Sequence, residues 1–327
     1  MWPGAATGVF DMTLRPPELL RHESVLLVLL ALALVLLSAQ SSRFLTLDNL
    51  LNQGRLMTEV SLVAVAMTFV IVTGGIDLSV GSTFGLAAVG MGLLWQGAGL
   101  PLPLAMGLTL VGGIAAGLLN GFIITRFDVP PLITTLATLM LYRGLAEGVS
   151  QGRSVRGYPD WFLNLAQGDL LGVPVQVWLL GLCVVVASVV LGHTAFGRAT
   201  YAIGANETAA RFSGIDVRRT KLIIYAGSGA LAAIAGMIFV SRVSTTRSDM
   251  GSALELDVIT AVVLGGTSIF GGRGTVVGTA LGLALMQALK NGLSLAGVKG
   301  DGTIIVIGLV LIGAIFLGNL LNREGDG

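Results

Sequence analysis

Apolar runs of about 20 residues, the length a helix needs to cross a bilayer core of ~30 Å, recur along nearly the whole chain. Ten of them, bounded by charge, proline or glycine clusters, lie near 22–39, 56–74, 80–97, 102–125, 130–149, 172–192, 220–241, 256–270, 274–296 and 302–321. The second and third meet across the stretch VTGGIDLSVGS at 72–82 and are alternatively one span with a break, and the eighth is short enough for a buried or tilted helix. Composition points the same way. Of 327 residues, 54% are hydrophobic and 11% charged, against about a quarter charged in soluble domains. Too few polar side chains remain to face water, so lipid is the solvent. The expected fold class is an all-α integral membrane protein of about ten transmembrane helices.

The first run follows Arg21 and has Ser38-Ala39-Gln40 as a poor cleavage site, so a signal peptide is the minor alternative to a first span. Orientation follows the basic residues of short loops. Arg198, Arg211, Arg218, Arg219 and Lys221 crowd the connection 193–220, which places it in the cytoplasm. The expected layout is a cytoplasmic tail at 1–21, a transmembrane domain at 22–321 and a C-terminal tail at 322–327, with 40–55, 150–171 and 242–256 outside. Met12 is an alternative start.

Several functions are excluded. A net charge of +1 gives no basic face for nucleic acid. The chain has no Gly-Lys pair and therefore no phosphate loop, so it does not hydrolyse ATP itself. Gly272, Gly274 and Gly278 resemble a dinucleotide fingerprint only faintly, because they open a membrane helix and not a βαβ unit. His22 and His193 stand at span ends, and no Cys, His or carboxylate cluster has metal-ligand spacing. Catalytic residues, cofactor and metal are all expected to be absent. The lone Cys183 reads as a small buried hydrophobe.

In the 72–82 stretch, Gly74 and Gly75 can end one helix through left-handed backbone angles, while Asp77 or Ser79 can accept from the free N–H groups opening the next. Asp77 is tolerable in a membrane as such a cap, when paired, or in a wet cavity. In the 193–220 loop, Asn206 can cap a short helix whose small residues Ala209 and Ala210 admit a close partner, with Ser213-Gly214 ending it. Gly113, Gly117 and Gly121 in the fourth run, and Gly274, Gly278 and Gly282 in the ninth, make stripes for close helix packing. Arg143 and Glu147, one turn apart, are expected to pair. Lys290 and Asn291 are expected to snorkel to the interface, and Glu255 and Asp257 to suit a helix N-terminus. All four charged residues Arg143, Glu147, Glu255 and Asp257 are pathway or structural candidates.

Together these residues closely resemble the membrane permease of bacterial ABC importers for simple sugars, the group that serves ribose, rhamnose and autoinducer-2. Three blocks carry the resemblance: 72–82, the loop from Gly204-Ala205-Asn206 through Ala209-Ala210 to Ser213-Gly214-Ile215, and the run ELDVITAVVLGGTSIFGG at 255–272. The resemblance implies the ABC importer permease fold in the bacterial inner (plasma) membrane, translocating a small sugar or sugar-like molecule. It implies four partners: a cytoplasmic ABC ATPase subunit, a periplasmic or extracellular sugar-binding protein, a second permease (a copy or a sister subunit), and membrane lipid. The 193–220 loop would be the coupling segment seated on the ATPase, with Gly204, Asn206, Glu207, Ala209, Ala210 and Gly214 as contact candidates. The rival readings are an ion-coupled secondary carrier for a small polar solute, in which Asp77 holds a proton or sodium, and a sensor or channel-like scaffold.

Overall fold

A computed structural model describes residues 16–323. The expected tails fall largely outside the described residues, at 1–15 and 324–327. The chain runs through α1 (Pro16–Gln40), α2 (Leu47–Val72), α3 (Val80–Gly92, extended by a wider π-type turn Leu93–Gly97), α4 (Leu102–Phe127), α5 (Pro131–Ser150) and α6 (Asp160–Gln167). A two-residue hairpin, β1 (Asp169–Leu170) and β2 (Val173–Pro174), precedes α7 (Val175–His193), α8 (Ala195–Ala205) and α9 (Glu207–Phe212). Then come α10 (Val217–Val243), α11 (Leu254–Leu264), α12 (Val276–Leu295) and α13 (Gly300–Arg323). Each of the ten apolar runs coincides at least in part with a helix. Among the described residues, six helices are long and apolar enough to cross a membrane: α2, α4, α7, α10, α12 and residues Glu23–Gln40 of α1.

Local chemistry sets the helix ends. Thr46, Thr194 and Thr275 accept N-cap bonds from Asn49, Gly197 and Gly278. Pro131 opens α5 at the first helical position, where its missing N–H costs nothing. The eighth run is not one helix: α11 stops at Leu264, where Gly265-Gly266 turns the chain, leaving 11 residues, too few to span. The segment 150–171, expected as a plain outer connection, contains α6, which buries Phe162 and Ala166.

The helix α10 is the centre of the bundle, packing on α4, α3, α2 and α6. The main core joins Leu62, Met67 and Ile71 of α2 to Phe84 of α3 and to Tyr225, Ala232 and Val240 of α10. Gly113, Gly117 and Gly121 let α4 meet α10 backbone to backbone: a Cβ on Gly117 would overlap the Tyr225 carbonyl oxygen. On α12, Gly278 and Gly282 admit Ala261 of α11 and Gly265 just past its end in the same way. Gly274, assigned to that stripe from the sequence, lies before α12 and packs on Thr267 instead. Large apolar side chains such as Val35, Met140, Leu182 and Val185 are exposed around the outside, an apolar belt that only lipid covers at low cost.

Candidate functional site

The three sequence blocks converge at one end of the bundle. The α2 helix ends at Val72, whose carbonyl oxygen accepts a bond from the Gly272 amide at 2.8 Å. At Gly271, with φ +87°, a Cβ would stand 2.9 Å from both the Gly204 oxygen and the Gly74 nitrogen. A Cβ on Gly204 would overlap the Val72 carbonyl oxygen. The end of α2, the end of α8 and the 265–275 turn therefore touch through bare backbone, which glycine alone permits.

Asp77 sits just inside this contact, buried. Gly74 has the left-handed angle expected of a helix end (φ +77°), whereas Gly75 does not. The Asp77 Oδ1 accepts from the Ser79 amide at 3.0 Å and the Ser79 hydroxyl at 2.6 Å, and Oδ2 accepts from the Ser228 hydroxyl of α10 at 2.8 Å. Asn120 of α4 donates to the Ser79 oxygen at 2.8 Å, and Thr135 of α5 donates to the Ile76 carbonyl at 2.9 Å. Asp77 thus binds the α2–α3 joint to α10, a long-range role beyond the local cap read from the sequence. Ser79 is the N-cap residue of α3 but makes no side-chain cap bond.

The loop after α8 forms a second small unit. Asn206 caps α9 by accepting from the Ala209 amide at 2.9 Å, and Gly214 turns the chain away at φ +83°. Glu207 is held by Lys221 of α10 at 2.5 Å and by Arg211 at 3.1 Å. Its partial burial pushes the carboxyl pKa up, but these two cations outweigh that and hold it below the usual carboxylate range. Asn206, Ala209 and Gly214 are exposed. Ala210 is not: it is buried against Ile203 and Val217 and seats α9, so the small-residue face open to a partner is Ala209 alone. Phe212, which the sequence reading passed over, is 89% exposed at the end of α9.

The opposite end of α10 opens on a cavity of about 820 Å³. Arg242 lies 21 residues from Lys221 on one continuous helix, about 30 Å away at the α-helical rise. In the cavity wall Arg242 Nε donates to Glu59 Oε1 of α2 at 2.7 Å, and Lys290 Nζ donates to Asp257 Oδ2 at 2.7 Å. Lys290 is therefore an ion-pair partner between α12 and α11, not a free snorkelling side chain, and Asn291 is bonded to Asn49 at 2.8 Å. Glu255 and Asp257 occupy the first turn of α11.

The expected Arg143–Glu147 pair does not form. Arg143 Nη1 donates instead to the carbonyls of Ser248 and Met250, at 2.7 and 2.8 Å, and Glu147 stays on the exposed face of α5. Several carbonyl acceptors at once satisfy a planar guanidinium better than a single exposed carboxylate one turn away. Arg143 thereby clamps the strap between α10 and α11, part of which lines the cavity. Cys183 is half-buried, not fully buried, in an apolar cleft of about 320 Å³ between α2, α7 and α10.

No group of three or more metal-ligating side chains occurs among the described residues. Residues 49–315 match the family described as branched-chain amino acid transport system / permease component. The chain is 41% identical over 291 residues to the ribose import permease protein of Bacillus subtilis (strain 168), covering 88% of this chain and 90% of that one. It is 38% identical over 296 residues to the autoinducer 2 import system permease protein of Escherichia coli (strain K12), covering 89% of each. No solved structure matches it. With six helices long and apolar enough to span, a family match over most of its length and two import permeases as relatives, the chain belongs to this family of membrane transport permeases.

Proposed function

We propose that the chain is the transmembrane subunit of an ATP-binding cassette importer, carrying a small sugar or sugar-like molecule of the ribose, rhamnose or autoinducer-2 class across the bacterial inner membrane. All ten apolar helices belong to the bundle that crosses or fills the membrane, with α11 too short to span by itself. The permease works beside a second permease, a copy or a sister subunit, with a binding protein delivering cargo outside and an ATPase subunit supplying energy inside.

The observation that carries this reading is the arrangement of α9. A short, capped, exposed helix stands at the basic end of the bundle, fixed by Glu207 to Lys221 of the central helix. The central helix then runs without interruption to the cavity at the far end. A partner that binds α9 differently in two states can bias the whole bundle, and one without such a preference cannot. Asn206, Glu207, Ala209 and Gly214 are the proposed contacts, with Phe212 added. Gly204 and Ala210 support them from inside. The ion-coupled carrier draws no support, since the Asp77 carboxylate is occupied by three protein donors.

The test is uptake of labelled ribose by cells that express the chain with its partner subunits. Gly214→Trp and Glu207→Lys are expected to abolish uptake while the protein stays in the membrane. A photo-crosslinker at Phe212 is expected to trap a nucleotide-hydrolysing subunit. Normal uptake by both variants overturns the coupling role.

A further inference from the structure

We infer that the outer cavity is a subsite selective for uncharged polyhydroxylated molecules, built from the ion pairs Glu59–Arg242 and Asp257–Lys290 and the Phe239 ring. The inference rests on the permease reading and adds what the path itself recognises.

At about 820 Å³ the cavity is within the range of small-molecule sites. Among the described residues its charged lining consists of those four, two cations and two anions, whose formal charges sum to zero. Each pair leaves bonding capacity unspent. Arg242 uses Nε on Glu59, keeping both of its terminal amino groups, and each carboxylate keeps an oxygen outside the pair. Such adjacent donors and acceptors match neighbouring hydroxyls, each of which both donates and accepts. The Arg242 guanidinium is also held 4.9 Å over the Phe239 ring, which fixes its plane. Phe239 and Phe84 supply apolar wall beside it, suited to the C–H face of a sugar ring, and the Thr260 hydroxyl adds a further polar group.

Charge balance is what selects. A phosphate or carboxylate ligand entering this cavity adds negative charge that the two cations, already matched by Glu59 and Asp257, leave uncompensated. A neutral polyol bridges both pairs without breaking either. A hydrocarbon of equal size leaves the spare donors and acceptors desolvated and unbonded.

The test uses the full-length chain in lipid nanodiscs, without ATPase or ATP, and saturation-transfer NMR titrations with ribose, ribose 5-phosphate and ribonate. Ribose is expected to give a saturable signal, and the two anions none at equal concentration. Glu59→Gln and Asp257→Asn are each expected to raise the ribose Kd about tenfold, the scale of one lost charged hydrogen bond. Should Glu59→Gln fail to fold, Asp257→Asn, on a partly exposed residue, carries the test. An anion that saturates as well as ribose, wild-type Kd values in the folded variants, or no ribose signal in the wild type each overturns the inference. Glu207→Lys is expected to bind ribose normally here. Normal uptake by both that variant and Gly214→Trp would therefore sink the coupling reading while leaving the cavity standing.

Discussion

The Lys221 ammonium lies 2.5 Å from the Glu207 carboxylate and so ties the first turns of α10 to α9. Lys221 is buried whereas Glu207 is half-buried, which makes the lysine the fixed post and the glutamate the adjustable partner. Replacing Lys221 with Met is expected to lower stability by less than ~1 kcal/mol, because the glutamate side of the pair is open to solvent. Transport is expected to fall about tenfold, the scale of an ordinary coupling term. Thermal unfolding and uptake, measured on one preparation, separate the two effects. A large drop in stability would reduce the pair to a structural prop.

The same pair sets a pH dependence. Glu207 has its pKa below the unfolded value of 4.5, so its contribution is complete above that value and is lost as the pH falls through the lower folded value. Amide exchange across residues 207–212, corrected for intrinsic rates, is expected to be flat from about pH 5 to pH 8 and to accelerate only in stronger acid. Loss of protection near neutral pH would contradict this.

Asp77 offers a sharper contrast. Asp77→Ala leaves the Ser79 and Ser228 donors without their acceptor in a buried site, at ~1–3 kcal/mol for each orphaned group. Asp77→Asn keeps one acceptor oxygen and is expected to cost less. Unfolding midpoints in detergent should therefore rank wild type, Asn, then Ala. Equal midpoints for Asn and Ala would show that the bonds to Asp77 contribute nothing.

Two glycines on α4 should behave oppositely. Gly117→Ala places a methyl on the Tyr225 carbonyl and is expected to destabilise by ~1–3 kcal/mol, as overpacking does. Gly107 has open space around its Cβ position, so Gly107→Ala is expected to be neutral or to stabilise by up to ~1 kcal/mol through helix propensity. Equal effects would contradict the backbone approach between α4 and α10.

The sequence was most readable where the physics is local. Apolar length marked the helices, and Asn206 followed by small residues and Ser213-Gly214 marked α9, because caps and turns act within a few positions. Arg143 and Glu147 show the opposite case. One-turn spacing nominates a pair, but three-dimensional packing offered Arg143 the carbonyls of Ser248 and Met250, 105 and 107 residues away. Glu59 and Arg242, 183 residues apart, were equally out of reach of any pattern. The cost of a carboxylate inside an apolar run was the one available signal that Glu59 needs a cation, and the sequence reading passed over it. The short helix α6 was missed because eight residues with two buried positions give too short a periodic signal.

At the cavity end of α10, the Gln167 side chain of α6 donates to the carbonyls of Ser241 and Arg242 and to the Ser244 hydroxyl, each at 3.1 Å. These are the carbonyls that a helix leaves bare where it stops. A small surface piece therefore acts as a stopper on the bundle's central helix, and prising it up would unravel that tip first, beside the arginine that faces the chamber.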